Sequence, residues 1–395
     1  MTELLLVGVG MMGRPYVAAA KRLGLSVHAV ESRERAEALT GEVDRVTPVD
    51  GDSDEAWVAA AAAAAAASRP DGVVAFAEPH VLAAALVADQ LGLPGPSLRA
   101  AVLSRNKALQ RGRFAAEGVR QPEHLVVARL AEALPWARPR FPVVVKAVRE
   151  SGSLGVELVA DEAGFADAVA RRAHETPLLV EVAVDGPEYS WEALVRGGRV
   201  QLANLTAKET TGPPGFVETG HRTAAVLPAA EAAAVDELAA GVLRGLGMRD
   251  GVVHLEFRCS SSGPMLMEVA VRTPGDYILE MLGHSHGVDW FEAVVRLAVG
   301  LPLVDPPQRR ATPAGGWFPL LDPGVVTAIE GLDEVRAHPA VVRAGVLAQV
   351  GDTVPPVVSS AQRRVFVLFA AEDEDRLAEA RAFAERTLRV RTSPV

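Results

Sequence analysis

The sequence has few of the features that mark secreted, membrane-spanning or disulfide-stabilised proteins. Its 395 residues include a single cysteine, Cys259, which excludes an intramolecular disulfide and suits a reducing compartment. It has no apolar run of about 18 residues, the length that a membrane span requires. The alanine-rich stretch 59–67 is shorter and is expected to be a helix. No basic segment or cleavage site precedes the first strand pattern, so we expect no export signal and a cytoplasmic location.

Positive charge and nucleophile motifs are also scarce. The formal net charge is -10 at pH 7, which argues against nucleic acid as a partner, because phosphate binding needs a basic face. No G-x-S-x-G motif is present, and Cys259 has no activating residues beside it. His221, His254 and His284 are scattered without the spacing of a zinc site. These absences leave an enzyme that acts on small molecules, without a membrane or nucleic-acid partner, as the expected class.

The order of strand-like and helix-like patterns indicates an α/β and α+β protein with several domains. Apolar strands alternate with helices over residues 1–96, which predicts a Rossmann-like domain with a parallel sheet. Residues 97–301 are richer in strands, and the proline- and arginine-rich segment 302–313 resembles a linker. The remainder predicts a small C-terminal α+β domain, with strands at 346–350 and 364–369 and a final helix at 372–387.

A glycine-rich turn follows the first predicted strand. Gly8 to Gly13 reads G-x-G-x-x-G, and Glu31 closes the second strand, which is the pattern of a dinucleotide-binding fingerprint. An NAD-dependent oxidoreductase is therefore one hypothesis. The alternative is that the glycines only allow a sharp turn from strand to helix.

Two glutamates, Glu256 and Glu268, lie on neighbouring strand-like runs joined by the short turn 259–264. The turn predicts a hairpin, and alternation places Glu256 on one face with His254 and Arg258. Glu268 shares a face with Ala270 and Arg272. Two carboxylates held close together in an apolar frame need a cation, and Mg²⁺ binds such oxygens while leaving positions open for phosphate.

Several upstream segments carry further charged or glycine-rich patterns. Lys146 ends an apolar strand and is followed by the Gly/Ser loop 151–156, whose backbone N–H groups could approach phosphate oxygens. Glu181 and Glu188 flank an apolar strand, and Lys208 stands before the loop 209–221. Each segment also has an ordinary explanation, namely a Gly/Ser hairpin, a strand edge with solvated acids, or a long loop.

Taken in order, these features resemble the ATP-grasp enzymes, specifically the carboxylate–amine ligases that include the L-amino acid (dipeptide) ligases. The resemblance implies a Rossmann-like leading domain, an ATP-grasp domain at 97–301 with an antiparallel sheet and a lid at about 122–186, and a C-terminal domain at 314–395. It also implies an ATP-dependent ligase that forms a C–N bond through an acyl phosphate. The implied cofactors are ATP and Mg²⁺, with Mn²⁺ as a substitute, and the implied partners are a small carboxylate, a small amine and a second subunit in a homodimer.

The resemblance also assigns roles to individual residues. Lys107, Lys146 and Lys208 are expected to reach the phosphates, and Arg272 to neutralise the acyl phosphate. The metal ligands are expected to be Glu256 and Glu268, and His221, with Glu218 or Arg222, is expected to lie near the acceptor amine. The remaining nucleotide contacts are assigned to Ser151, Gly152 and Ser153 (triphosphate loop), Glu181, Val182 and Val184 (adenine), Glu188 (ribose) and Leu255.

One position departs from the family pattern E-x-N-x-R. The sequence has Ala270 where the family commonly has an asparagine that binds metal, which leaves open whether one or two ions bind. Some dipeptide-forming members also lack this asparagine, and Thr273 to Asp276 suits that subgroup. The competing hypotheses are an ATP-grasp carboxylase acting on bicarbonate, a nucleotide-binding protein that has lost catalysis, and the NAD-dependent oxidoreductase.

Overall fold

The computed structural model describes residues 1–10, 12–150, 152–213, 215–305 and 311–394. Ser151 and part of the predicted linker, residues 306–310, lie outside this range. The helices are α1 (Arg14–Arg22), α2 (Arg33–Ala36), α3 (Asp54–Ser68), α4 (Val81–Leu91), α5 (Leu98–Ser104), α6 (Lys107–Ala116), α7 (Leu134–Ala137), α8 (Glu162–Arg171), α9 (Ala229–Leu246), α10 (Ile278–His286), α11 (Trp290–Ala298), α12 (Leu332–Arg336) and α13 (Glu374–Thr387).

The strands belong to four sheets, of which the first two follow one another along the chain, while the strands of the last two alternate after β14. They are β1 (Glu3–Val7), β2 (Ser26–Ser32), β3 (Arg45–Val49), β4 (Gly72–Val74), β5 (His124–Val127), β6 (Val143–Ala147), β7 (Glu157–Val159), β8 (Leu178–Val182), β9 (Glu188–Arg196), β10 (Arg199–Thr210), β11 (Glu218–Arg222), β12 (Gly251–Ser260), β13 (Gly263–Ala270), β14 (Ala314–Trp317), β15 (Gly324–Glu330), β16 (Val341–Val346), β17 (Thr353–Val354), β18 (Val365–Ala370) and β19 (Arg389–Ser393).

The leading sheet has the order β3–β2–β1–β4, and its strands run parallel. Every residue of β1 is buried, because helices cover both faces of the sheet. One face shares a core with α11, where Trp290 packs in the same cluster as Leu6 and Tyr16. The prediction of a Rossmann-like leading domain is confirmed, and this domain shares a core cluster with α11.

The central sheet has the order β13–β12–β9–β10–β11–β14–β18–β16, with antiparallel neighbours. Its last three strands come from the C-terminal part of the chain, while β17–β15–β19 form a small separate sheet. The C-terminal part of the chain therefore continues the sheet that the preceding part begins. The domain boundaries stay a prediction for this reason.

One predicted C-terminal strand is wrong. Residues 346–350 have an apolar pattern, but the strand runs from Val341 to Val346 and the following residues turn. The Asp352 carboxylate accepts a hydrogen bond of 2.8 Å from the Gln349 backbone N–H, which closes this turn. The predicted strand at 364–369 and the final helix are confirmed with shifts of one or two residues.

The lid sheet, β5–β8–β6–β7, lies within the predicted lid and carries α8 on one face. Lys146 is in β6 and Glu181 is in β8, on directly paired strands. Among the described residues, none of the helices combines the length and the apolar character needed to cross a membrane. The arrangement leaves a cleft between the lid sheet and the central sheet, where the predicted site residues meet.

Candidate active site

A cleft of about 230 Å³ lies between the lid sheet and the central sheet. Most residues that the sequence singled out line it, although they come from positions more than 100 residues apart. Of the predicted residues, the cleft is lined by Lys146, Gly152, Ser153, Glu181, Val182, Val184, Glu188, Lys208, His221, Glu256, Glu268 and Arg272. The structure thus brings the separate sequence patterns together in one place.

The two glutamates of the predicted hairpin face each other directly. β12 and β13 pair antiparallel, with Glu256 opposite Glu268 and His254 opposite Ala270. A register shift follows Glu256, so the strands bulge beside the glutamate pair. The hairpin prediction is confirmed, and the pair lies at the floor of the cleft.

Lys208 is held by three carboxylates. Its Nζ lies 2.9 Å from Glu188 Oε1 and 3.4 Å from Glu218 Oε1, and it also pairs with Glu256. Burial opposes the charge on Lys208, but these three carboxylates raise its pKa well above its usual value. Lys208 is therefore a fixed cation next to Glu256, whose own pKa is held well below its usual value by Lys208 and His254 against the effect of burial.

Two other lysines are held in the same way. Lys107 Nζ lies 3.0 Å from Glu268 Oε1 and donates to the Glu150 backbone carbonyl, although its own side chain does not line the cleft. Lys146 Nζ lies 2.5 Å from Glu181 Oε2, and Arg111 also pairs with this carboxylate. Burial lowers the pKa of Lys146, while Glu181 partly restores it.

The donor set around the hairpin fits a magnesium ion bound together with phosphate. Mg²⁺ is commonly held by one or two carboxylates, with water and substrate phosphate completing its coordination. Glu256 and Glu268 supply these two carboxylates, and Ala270 supplies no third donor. Within the described part of the chain, no group of three His, Cys, Asp or Glu side chains is arranged to hold an ion. Any metal here would therefore depend on the nucleotide for its remaining ligands.

Behind the glutamate pair lies a buried polar network. Glu192 is fully buried and accepts hydrogen bonds from Ser190, Thr206 and Asn204. His254 Nδ1 lies 3.1 Å from Glu192 Oε1, and its Nε2 lies 3.6 Å from Glu256 Oε1. Burial opposes protonation, but these two carboxylates raise the pKa of His254 to about 9. The ring is therefore fixed beside the predicted metal ligand.

The proposed adenine segment lines the cleft mainly with its backbone and its valines. The Glu181 carboxylate faces Arg111 and Lys146 and is 2% exposed, so only its backbone is available to a base. The Arg258 guanidinium donates to the Val184 carbonyl and to the Glu188 carboxylate, the proposed ribose acid. A nucleotide that uses these groups must share them with Arg258.

Leu255 is a correction to the sequence prediction. Its side chain is fully buried in the core cluster that contains Val269, and it does not line the cleft. Alternation along β12 explains this, because Glu256 faces the cleft and its neighbour must face the other way. Met267 of β13 lines the cleft instead.

The loop after Lys146 closes the cleft from above. Gly152 and Ser153 line the cleft, and Ser153 Oγ donates a hydrogen bond of 3.0 Å to the Phe216 carbonyl. Ser151 was predicted to take part in this loop and lies outside the described residues. The predicted loop 209–221 is shorter in the structure, because β10, which contains Lys208, extends to Thr210 and β11, which contains His221, begins at Glu218.

Arg272 joins the hairpin to the leading domain. Its Nε donates a hydrogen bond of 2.9 Å to Glu78 Oε2, and its Nη1 donates to the Thr273 carbonyl. Tyr16 of α1 donates a hydrogen bond of 2.7 Å to Thr273 Oγ1. The leading domain therefore contacts Arg272 and Thr273, although none of its described residues lines the cleft.

His221 belongs to a second charged group, which also contains Asp276 and Arg363. Its Nε2 lies 2.7 Å from Asp276 Oδ2, and Asp276 also pairs with Arg363 from the C-terminal part. Burial opposes ionisation of Asp276, but His221 and Arg363 hold its pKa well below its usual value. This end of the cleft is built from residues that the predicted motifs did not connect.

In the glycine-rich turn that begins at Gly8, two of the possible phosphate donors are already used. Glu31 Oε2 accepts hydrogen bonds of 2.8 Å from the backbone N–H groups of Val9 and Gly10. A Cβ at Gly8 would lie 1.9 Å from Nδ1 of His80, so the imidazole fills the space above the turn. These contacts disfavour the dinucleotide hypothesis, because Glu31 occupies N–H groups that would face a pyrophosphate.

Sequence reasoning missed several residues of the site. Arg111 is 1% exposed and pairs with Glu181, and a buried arginine in a helix gives no motif to recognise. Ser360 and Arg363 reach the cleft from the C-terminal part, 142 and 87 residues along the chain from their partners Glu218 and Asp276. Strict alternation predicts that Met267 faces away from Glu268 into the core, but the register shift between Glu256 and Phe257 interrupts the alternation, and Met267 lines the cleft.

Comparison with known proteins agrees with this geometry. Three family models match the chain: the ATP-grasp N-terminal domain over residues 17–95, the ATP-grasp domain over 139–280, and the L-amino acid ligase C-terminal domain 2 over 317–393. The crystal structure of L-amino acid ligase from Bacillus licheniformis superposes with a TM-score of 0.86 at 23% identity, covering 100% of this chain and 99% of that one.

Curated relatives match over large parts of the sequence. Carnosine synthase 1 of Gallus gallus is 29% identical over 384 residues, which is 87% of this chain and 41% of that protein. A D-alanine–D-alanine ligase of Anaeromyxobacter sp. (strain Fw109-5) is 31% identical over 198 residues, which is 45% of this chain and 61% of that protein. The chain thus spans less than half the length of the carnosine synthase that it matches. The family models, the fold and the arrangement of the cleft together show that this chain belongs to the ATP-grasp superfamily.

Proposed function

We propose that this protein is an ATP-dependent carboxylate–amine ligase that forms an amide or peptide bond through an acyl phosphate. The observation that carries the proposal is that Lys146, Lys208 and Arg272 line the same cleft as the facing pair Glu256 and Glu268. Fixed cations and paired carboxylates at one end of a cleft suit a metal-bound triphosphate whose terminal phosphoryl group is transferred.

The relatives support amino acids as the substrate class. An L-amino acid ligase shares the fold, and a D-alanine–D-alanine ligase is among the sequence relatives. We therefore propose amino acids or small biosynthetic acids as the carboxylate and an amino acid as the amine.

The chemical problem is that a carboxylate is a poor electrophile. Transfer of the terminal phosphoryl group of ATP to the carboxylate creates a good leaving group, and an amine then displaces phosphate. ATP-grasp enzymes generally use Mg²⁺, which would be held here by Glu256 and Glu268 and would neutralise phosphate charge. Lys146 and Lys208 neutralise the phosphoryl oxygens, and Arg272 stabilises the charge that develops on the acyl phosphate.

The acceptor amine arrives protonated and must lose a proton before it attacks. Asp276 can only accept, so His221 Nε2 carries a hydrogen and, in the neutral ring, Nδ1 holds a lone pair. We assign the proton-accepting role to this nitrogen, with the Glu218 carboxylate binding the ammonium group. The glycine loop and the lid exclude water, which protects the acyl phosphate from hydrolysis.

The proposal is tested by measuring phosphate release with ATP, Mg²⁺ and pairs of amino acids, followed by mass spectrometry of the products. We expect at least one pair to give ADP, phosphate and a condensed product in equal amounts. Bicarbonate is included as a separate substrate, because a carboxylase would use the same phosphoryl transfer. Phosphate release that depends on bicarbonate, or nucleotide binding with no turnover on any pair, would contradict the ligase.

A further inference from the structure

A short turn of the C-terminal part reaches into the cleft at the end where His221 lies. This turn, residues 359–363, supplies Ser360, which lines the cleft, and Arg363, whose side chain is 8% exposed. The proposed mechanism above assigns no role to either residue. A buried arginine must find partners for its donors, and the identity of these partners shows what it holds in place.

Each branch of the Arg363 guanidinium contacts a different part of the cleft wall. Nη2 pairs with Asp276 Oδ1, and Nη1 donates a hydrogen bond of 3.0 Å to the Glu218 carbonyl. Nε donates 2.8 Å to the Ser360 carbonyl within its own turn, and the guanidinium lies 4.4 Å from the centre of the Phe318 ring. Hydrogen bonds thereby fix the edges of the planar guanidinium, and the Phe318 ring covers one of its faces. A lysine ammonium group cannot reproduce this geometry.

Asp276 links Arg363 to His221. The second carboxylate oxygen of Asp276 accepts the His221 Nε2 hydrogen at 2.7 Å, and Phe318 packs edge-on against the same imidazole at 5.5 Å. Within the described residues, His221 Nδ1 is buried without a hydrogen-bond partner. A buried acceptor of this kind is costly unless a donor arrives, and a substrate ammonium group is such a donor.

Ser360 ties the same turn to two other walls. Its hydroxyl donates to Glu218 Oε2, and its backbone N–H donates a hydrogen bond of 3.2 Å to the Gly152 carbonyl. Gly152 belongs to the loop that covers the cleft, and Glu218 is the carboxylate proposed to bind the ammonium. One turn of the C-terminal part therefore contacts the lid loop, the Glu218 strand and the Asp276–His221 pair.

We propose that Arg363 is a positioning residue for the amine acceptor, holding His221 through Asp276 and the Glu218 strand through its backbone carbonyl. This inference rests on the proposed ligase function. The C-terminal part then completes the acceptor end of the active site, while the cleft-lining residues with proposed nucleotide contacts lie on the lid sheet and its loop, on β9 and β10, and on the hairpin. Arg363 itself touches neither substrate nor nucleotide.

The test compares Arg363→Ala and Arg363→Lys with Arg376→Ala, a control in the same part of the chain whose side chain is 72% exposed. We expect both Arg363 variants to lower kcat/KM for the amine by about 10- to 100-fold, because small misplacements of catalytic groups have costs of this size. The KM for ATP stays within about twofold, since the nucleotide end does not contact Arg363. Phosphate released per amide formed rises, because the acyl phosphate waits longer and is lost to water.

Two further measurements separate positioning from folding. Guanidinium ions at millimolar concentration should partly restore amide formation by the alanine variant, and they should not affect the Arg376→Ala control. Should the alanine variant fail to fold, Arg363→Lys carries the same test, since it keeps the charge and loses the fork. Unchanged amine kinetics and unchanged coupling in either folded variant overturn the proposal.

The two proposals fail differently. A wild-type protein that forms no amide with any pair overturns the ligase function and this inference with it. A wild-type protein that forms amide, beside an Arg363→Ala variant with the same amine KM and the same phosphate-to-amide ratio, overturns only the positioning role. Equal changes in the kinetic constants for ATP and for the amine also overturn the positioning role, because they indicate a general structural effect.

Discussion

At the scale of single residues, the cleft is held together by buried ion pairs between residues with different proposed roles. Lys146 pairs with Glu181, Lys107 with Glu268, and Lys208 with three carboxylates. Such pairs cost desolvation energy, and their removal on one side leaves an uncompensated buried charge. These pairs hold Lys146 and Lys208 at the cleft, where under the proposed function an arriving triphosphate would replace the carboxylates as their partner.

Arg111 offers a direct test of this view, because it and Glu181 are both almost fully buried. Arg111→Met should lower the free energy of unfolding by about 3 kcal/mol, since Glu181 loses its guanidinium partner inside the protein. Arg129→Met removes an exposed pair with Glu132 and should lower the free energy of unfolding much less, because water screens this pair. Urea unfolding measures both, and equal values for the two variants would contradict the burial argument.

His80 should make stability depend on pH. Burial lowers its pKa from 6.5 to about 4, so the folded protein binds this proton less readily than the unfolded chain. Stability from this group is therefore complete above pH 6.5 and is lost as the pH falls from 6.5 through about 4, by about 3 kcal/mol in all. His80→Gln should remove that part of the decline in urea midpoints between pH 7 and pH 4. If the urea midpoint of the variant declines by the same amount, other groups cause the decline.

At the scale of elements, the β12–β13 hairpin positions the two proposed metal ligands. Its register sets Glu256 opposite Glu268 and His254 opposite Ala270. Ala270, which stands where the family commonly has asparagine, therefore faces His254, and Glu192 holds that ring in place. Two carboxylates and no third protein donor suit metal binding that depends on nucleotide.

Glu268→Gln should weaken binding of Mn²⁺ in the presence of a non-hydrolysable ATP analogue. Changes in residues behind a metal ligand already cost about 10- to 100-fold in affinity, so loss of a charged ligand is expected to cost at least about tenfold. Electron paramagnetic resonance measures free Mn²⁺ directly. Glu237→Gln, on the exposed side of α9, is the control. Equal affinities for the two variants would show that Glu268 does not bind the metal.

The hairpin was predictable from sequence because a short turn joins two alternating strands, and alternation fixes which side chains share a face. The same rule, applied strictly, excludes Leu255 from the cleft, since it adjoins Glu256. Arg111, Ser360 and Arg363 could not be predicted, because burial and packing between distant segments decide their roles. The apolar pattern at 346–350 failed because a side-chain hydrogen bond of Asp352 turns the chain there.

At the scale of the whole molecule, three parts of the chain surround one cleft. The lid sheet and the hairpin enclose the nucleotide end, the leading domain borders Arg272, and the C-terminal part reaches His221 through Asp276. The leading domain keeps the glycine turn of a dinucleotide-binding fold but uses Glu31 to fill it. Its contribution to the site is the ion pair by which Glu78 holds Arg272.

Glu78→Gln tests this contribution. The Arg272 guanidinium lies 2.9 Å from the Glu78 carboxylate, and the neutral amide would hold it less firmly. We expect kcat/KM for the carboxylate substrate to fall by about tenfold, with the KM for ATP little changed. Glu42→Gln, which removes an exposed pair with Arg14, should leave both values unchanged. A fall only in the affinity for ATP would place Arg272 at the nucleotide instead.

The central claim is that the amide forms through an acyl phosphate, and oxygen transfer tests it most directly. The carboxylate substrate is labelled with ¹⁸O in its carboxyl group, and the phosphate released during amide formation is analysed by mass spectrometry. Phosphoryl transfer to the carboxylate predicts one ¹⁸O atom in each phosphate released. Unlabelled phosphate, or AMP and pyrophosphate in place of ADP and phosphate, would contradict the account.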